Sequence, residues 1–239
     1  MSNLSAIDSK IKKIISQRIN RENRYGKPLR VCHERILRSL GLISFLYGYF
    51  HHDLKYKNSY GEELIKEAEI QFITSLVTSM ETYFREMIII ISNVCVPATV
   101  KHLSDICEQK YRRKPLEKYR SCKISVGEII ANSINLYHID GICDIFSKVF
   151  EINVKDKLYK NYVHIKRPKN VIKLKENFEA IIQEVIELRH DSVHDISITK
   201  RITQKRLLLY MDTVMHFLVD IDDLIDESIM KNLKPECRV

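Results

Sequence analysis

Apolar residues recur along the chain at intervals of three and four, and a few short polar stretches break the recurrence. Leu4, Ile7, Ile11, Ile14, Ile15 and Ile19 alternate with Lys and Arg, which predicts an amphipathic helix over 4–19 docking on the main body. Asn20–Pro28 is polar, contains Gly26 and Pro28, and reads as a linker. A second helix is expected from about Val31 to Phe50, with Ile36, Leu37, Leu40, Ile43, Leu46 and Tyr47 on one face. His51–Gly61 follows as a polar connection.

The first dominant helix is expected from Glu62 to Asn93, on the stripe Ile70, Ile73, Val77, Met80, Phe84, Met87 and Ile91. Pro97 opens a shorter helix to about Gln109, and Lys110–Lys123 reads as a basic loop. Val126–Tyr137 and Gly141–Phe150 predict short helices around a Tyr-His-Ile-Asp-Gly turn. Ile152–Lys173 contains Pro168, has little periodicity and reads as a basic flap. Leu174–Val193 is the second dominant helix and Thr199 to about Leu233 the third, joined by a turn over Asp195–Ile198. The expected fold class is all-α. Residues 29–239 form one helical bundle with two long motif-bearing helices and extra short ones, and 1–28 form an N-terminal amphipathic helix and linker.

Composition fits that outline. Only 6 Gly and 5 Pro in 239 residues disfavour a turn-dense β protein, and 45% hydrophobic with 29% charged residues is an ordinary globular mixture. The 6 Cys are scattered without a CxxC pair and read as reduced packing thiols of a cytoplasmic protein. The polar N-terminus does not read as a signal peptide, and the apolar run Met87–Val96 is too short to span a bilayer, so no membrane partner is expected. The formal charge of +8 suits a polyanionic partner. Its basic residues cluster in Lys10–Arg30 and Lys155–Lys175.

Candidate chemistry concentrates in Glu187–Asp195, Glu-Leu-Arg-His-Asp-Ser-Val-His-Asp, where the second dominant helix runs out. Arg189 stands one i,i+4 step after Val185 and so falls on the apolar stripe. A guanidinium keeps its charge, so there it needs an anion or a set of acceptors. Glu81, bordering the first dominant stripe, is the expected internal partner. The plain alternative is an Arg at the stripe's edge whose head group reaches water. His194 lies further along, about 140° from Arg189 around an ideal helix. The two converge only if the helix ends near Ser192 or if they meet across a two-fold interface.

Two site chemistries fit these residues. His190 and His194, at i and i+4, have the layout of an HExxH zinc helix with Asp191 in place of Glu. Asp shortens the general base, and no third ligand follows at close spacing, so no metal is assigned. In the other reading, Arg189 and His194 act on a phosphodiester. Imidazole can take a proton from a ribose 2′-OH or give one to a leaving 5′-oxygen, while Arg braces the charge on five-coordinate phosphorus. RNA supplies its own nucleophile, so neither metal nor cofactor is needed. Lys200, Arg201, Lys205 and Arg206 follow without an acid and are the candidate RNA contacts. They oppose the helix dipole, as do Asp220, Asp222, Asp223, Asp226 and Glu227 at the far end of the same helix. A phosphate backbone passing there makes sense of the cations, and a solvated basic face is the plain alternative.

Arg189-His190-x3-His194 resembles the Arg-polar-spacer-His motif of HEPN domains (higher eukaryotes and prokaryotes nucleotide-binding). It is similarly placed, at the end of one long helix and ahead of another. Phe72–Glu86, with Ser-Met-Glu-Thr-Tyr-Phe-Arg-Glu, is similar to the larger HEPN relatives of bacterial defence and toxin–antitoxin systems. So is Ile124–Phe150, with Ile-Ser-Val-Gly-Glu-Ile-Ile and Asp-Gly-Ile-Cys-Asp-Ile-Phe-Ser-Lys-Val-Phe. The resemblance covers about Glu62–Leu233.

It implies a helical bundle that homodimerises and brings two motifs into one cleft. It further implies a metal-independent endoribonuclease leaving a 2′,3′-cyclic phosphate, with an antitoxin or defence-system protein as a further partner. Arg189 and His194 would be catalytic, with His190 supporting or contacting RNA; Asp191 and Glu81 are the further supporting candidates. Ile196 stands where some HEPN toxins carry a Tyr, so regulation by modification of that Tyr is not expected. Other HEPN domains are non-catalytic, and a module binding RNA, nucleotide or a partner protein is the alternative reading.

Overall fold

A computed structural model describes residues 28–52, 59–110, 124–132, 138–158, 177–194 and 202–235. The amphipathic stretch 4–19, the basic loop after Lys110, most of the flap and the turn after His194 lie outside the described residues. The named helices are α1 (Pro28–His52), α2 (Ser59–Val94), α3 (Pro97–Lys110), α4 (Val126–Ala131), α5 (Ile139–Phe150), α6 (Phe178–His194) and α7 (Gln204–Lys231). Among the described residues the only β pairing is an isolated antiparallel bridge of Cys95 with Leu233. The chain is all-α.

α2 is the axis of the fold. Phe72, Ile73, Leu76, Val77, Met80, Tyr83, Phe84, Met87, Ile88 and Ile91 are all buried, which is apolar surface on more than one side of the helix. A helix of that kind must be surrounded, and α1, α4, α6 and α7 pack around it. Phe84 is the meeting point: its ring lies 5.7 Å from Phe146 of α5 and 5.9 Å from Phe217 of α7, and Phe178 of α6 lies 6.2 Å from Phe217.

Polar ties fix the helix directions. Cys32 Sγ donates to the Ser79 carbonyl at 2.9 Å and Tyr47 Oη to Glu69 Oε1 at 2.6 Å, so α1 runs antiparallel to α2. Ile202 N donates to Glu69 Oε2 at 3.0 Å, Tyr83 Oη to Asp222 Oδ1 at 2.7 Å, and Val96 N to the Asn232 carbonyl at 2.8 Å. These three place α7 parallel to α2. α6 returns alongside α7, because Tyr210 Oη donates to Glu184 Oε1 at 2.6 Å. The C-terminal ends of α1 and α6 and the N-terminal ends of α2 and α7 therefore share one end of the bundle.

Caps explain where the helices depart from the expected bounds. Thr203 accepts from Arg206 N at 3.3 Å and starts α7 at Gln204 rather than Thr199. Ser125 and Glu128 form a reciprocal capping box, and Asn132 closes α4 by donating from Nδ2 to the Glu128 carbonyl at 2.9 Å, short of the expected Tyr137. α4 carries the close approach of the fold. A Cβ on Gly127 would lie 2.2 Å from Ser92 Oγ and 2.6 Å from Ser92 Cβ, so only Gly lets α4 sit this near α2.

Two local expectations change. Val154 and Leu158 are buried in a helical turn at 154–158, so the segment after Ile152 begins as core rather than flap. Leu37, expected on the buried face of α1, is 47% exposed, because it is one helical step round from buried Ile36.

Candidate functional site

The motif lies at the shared end of the bundle, on the last turns of α6. Val185 and Ile186 are buried, and Arg189, one turn on, is half-buried as its position on the stripe requires. Its Nε is buried yet finds no hydrogen-bond partner among the described residues. A guanidinium N–H without an acceptor is costly, about 1–3 kcal/mol or more. Glu81 does not supply the acceptor. Its side chain is 12% exposed and pairs with Arg85 at 3.6 Å, an i,i+4 contact within α2. The register explains why. Glu69 marks the level on α2 where α7 begins, and Glu81 lies about 18 Å further along at ~1.5 Å per residue.

His190 and Asp191 are exposed on the outer side of α6, and Ser192 Oγ donates to the Leu188 carbonyl at 2.5 Å. α6 remains helical through His194, whose side chain is outside the described residues. An early helix end near Ser192 therefore does not bring Arg189 and His194 together within one chain. Among the described residues, no group of three or more His, Cys, Asp and Glu is placed to hold a metal ion.

Of the four basic residues after the motif, two are described, and they differ. Lys200 and Arg201 lie outside the described residues, and Lys205 is exposed on the first turn of α7. Arg206 is exposed but tied to the bundle. It pairs with Glu184 of α6, donates from Nε to Tyr210 Oη at 3.1 Å, and sits 5.2 Å from the Tyr210 ring centre. Burial first, and the bond to Glu184 second, push the Tyr210 hydroxyl up to about 12. The acid that the local sequence around Arg206 lacks thus comes from α6. Lys155, expected in the basic flap, is similarly held between Asp140 and Glu179. Exposed Glu62, Glu63 and Glu67 occupy the first turns of α2 at the same end, so the described residues do not make an unbroken basic surface there.

Sequence reasoning passed over Glu69, Glu184 and Tyr210, the groups that hold this end together. Glu69 is 1% exposed and joins α1, α2 and the start of α7 through Tyr47 and Ile202. The signal was present: Glu69 stands one i,i+4 step before Ile73, a charge on the apolar stripe of α2 just as Arg189 is on that of α6. At the far end of α7, Asp222 is bonded to Tyr83, and burial followed by the Asp222 charge pushes that phenol well above its usual range. That cluster has a structural use.

No described helix is long and apolar enough to cross a membrane. Comparison of the chain with models of known protein families, with characterised proteins and with solved structures finds no match.

Proposed function

We propose that the chain is a metal-independent endoribonuclease, acting as a homodimer in phage defence or as the toxin of a toxin–antitoxin pair. Arg189 of one protomer meets His194 of the other at the shared end of the bundle. The observation that carries this reading is Arg189, a permanent cation on a mostly buried face whose Nε has no acceptor within the described chain. An RNA phosphate is an anion of the right chemistry to complete it, by charge-assisted hydrogen bonds. The continuity of α6 through His194 supports a site shared between two copies, since about 140° separates the pair on one helix.

The reaction needs only these groups and the RNA. The 2′-oxygen attacks phosphorus as its proton is taken up, a five-coordinate phosphorus forms against Arg189, and the 5′-oxygen leaves with a proton. The products are a 2′,3′-cyclic phosphate and a 5′-hydroxyl. His194 makes one of the two proton transfers and water the other. Of the two described basic residues after the motif, exposed Lys205 meets the backbone, whereas Arg206 serves the fold.

End-labelled RNA incubated with purified protein in excess chelator tests the reading, beside Arg189→Ala and His194→Ala. Cleavage to cyclic-phosphate ends that both substitutions abolish is the expected result. Cleavage surviving both substitutions, or lost to chelator, overturns it. RNA binding without cleavage favours the non-catalytic module.

A further inference from the structure

α1 presents an apolar face that nothing described covers. Leu37 is 47% exposed, Leu42 53%, Phe45 67% and Tyr49 51%, and the Phe45 and Tyr49 rings stack at 6.2 Å. Gly41 and Gly48 lie on the same face on either side of Phe45, and a Cβ on either would meet nothing within 4 Å. Glycine inside a helix is the poorest choice short of proline unless something must come close. The described structure places nothing against either, so the two glycines leave room for an element to approach this face closely.

We propose that this element is the chain's own segment Leu4–Ile19, packed as a helix antiparallel along α1. Leu4, Ile7, Ile11, Ile14 and Ile15 fall on one side of a helix, with Lys10, Lys12 and Lys13 on the others. Branched Ile side chains form the ridge that two glycine notches and a flat aromatic pair accept. Length agrees as well: Ile7–Ile19 and Leu37–Tyr49 each span about 18 Å as helix. The linker 20–27 reaches up to about 26 Å when extended. It needs to cover only about 14 Å along α1 from Pro28 to Leu37, plus the 8–10 Å between helix axes.

Area selects the tethered segment over a second copy. The four exposed side chains offer roughly 400 Å², about half of the 800 Å² per partner of a stable protein interface. A short tether supplies an effective concentration on the order of millimolar, so the same small face is filled from within the chain. Antiparallel packing also carries Leu4 and Ile7 toward the Tyr49 end of α1, the end of the bundle that holds the motif.

Paired substitutions Ile11→Cys and Phe45→Cys in the full-length protein test this, with each single variant as control. Oxidation is expected to give a monomeric disulfide between the two introduced thiols, identified by peptide mapping, at a rate independent of protein concentration. A covalent dimer through these positions assigns the face to a second copy and overturns the proposal. Hydrogen exchange gives a readout that does not depend on the cysteine variants. Amides over 4–19 of the unsubstituted chain are expected to be protected. Gly48→Gln fills one notch and is expected to speed their exchange by about tenfold or more, although Gln is the better helix former. Unprotected amides over 4–19 in the unsubstituted chain, or protection indifferent to Gly48→Gln, overturn the proposal.

Discussion

Glu69 sets the sharpest stability prediction, because one buried carboxylate serves three helices. It accepts from Tyr47 Oη at 2.6 Å and from Ile202 N at 3.0 Å while only 1% exposed. Glu69→Ala strands both donors, at about 1–3 kcal/mol each. A loss of about 3–5 kcal/mol follows once the unfilled volume is included, a large share of the 5–15 kcal/mol that holds a typical domain. Tyr47→Phe alone removes one bond to the carboxylate, a charge-assisted bond of about 1.5–3 kcal/mol.

A double-mutant cycle over Tyr47→Phe and Glu69→Ala, read as urea midpoints at constant m, isolates the shared term. Tyr47→Phe must cost much less in the Glu69→Ala background than in the unsubstituted chain. Two results refute the reasoning: a Glu69→Ala cost below about 1 kcal/mol, or equal Tyr47→Phe costs in both backgrounds. Hydrogen exchange at the first turn of α7 adds a local check, since losing the Ile202 acceptor should loosen that turn before the rest of α7.

Further predictions follow from single contacts. Gly127→Ala drives a Cβ into Ser92 and is expected to cost about 1–3 kcal/mol by thermal unfolding, most of it recovered by Ser92→Gly; an unchanged midpoint contradicts the close approach. Lys205→Ala is expected to weaken RNA binding and flatten its salt dependence by about one phosphate contact at unchanged stability, whereas Arg206→Ala lowers stability by breaking the Glu184–Tyr210 cluster. Equal effects of the two on the salt slope argue against separate roles.

High pH reads the buried phenols. Tyr210 is held at about 12 and Tyr83 higher still in the folded chain, against about 10 when unfolded. Their raised values stabilise the fold fully below pH ~10, and that contribution falls as pH rises toward and through the folded values. Urea midpoints must drop between pH ~10 and ~12, less steeply in Tyr210→Phe; an identical slope in that variant contradicts the shift.

The helices were legible in the sequence because burial follows a period of three to four, and α2 and α7 carry that period without interruption. Boundaries were less legible where a side chain rather than the apolar stripe sets the limit, as Thr203 does at the start of α7 and Asn132 at the end of α4. Arg189 was visible because a charge on an apolar stripe is conspicuous. Its expected partner was misplaced, because helix register is a tertiary fact: Glu81 borders a stripe but sits about a dozen residues beyond the level where α7 begins. Arg206 shows the same limit. Local charge counting left it without an acid, and the acid came from the neighbouring helix.

The claim that the site is shared between two copies has a direct test in mixed dimers. Arg189→Ala and His194→Ala protomers, each inactive alone, are co-expressed and assayed on RNA in chelator. If Arg189 of one protomer works with His194 of its partner, each mixed dimer holds one intact pair and one doubly defective pair. Random pairing then restores roughly a quarter of the unsubstituted activity. A mixture that forms dimers but stays as inactive as either variant contradicts the account.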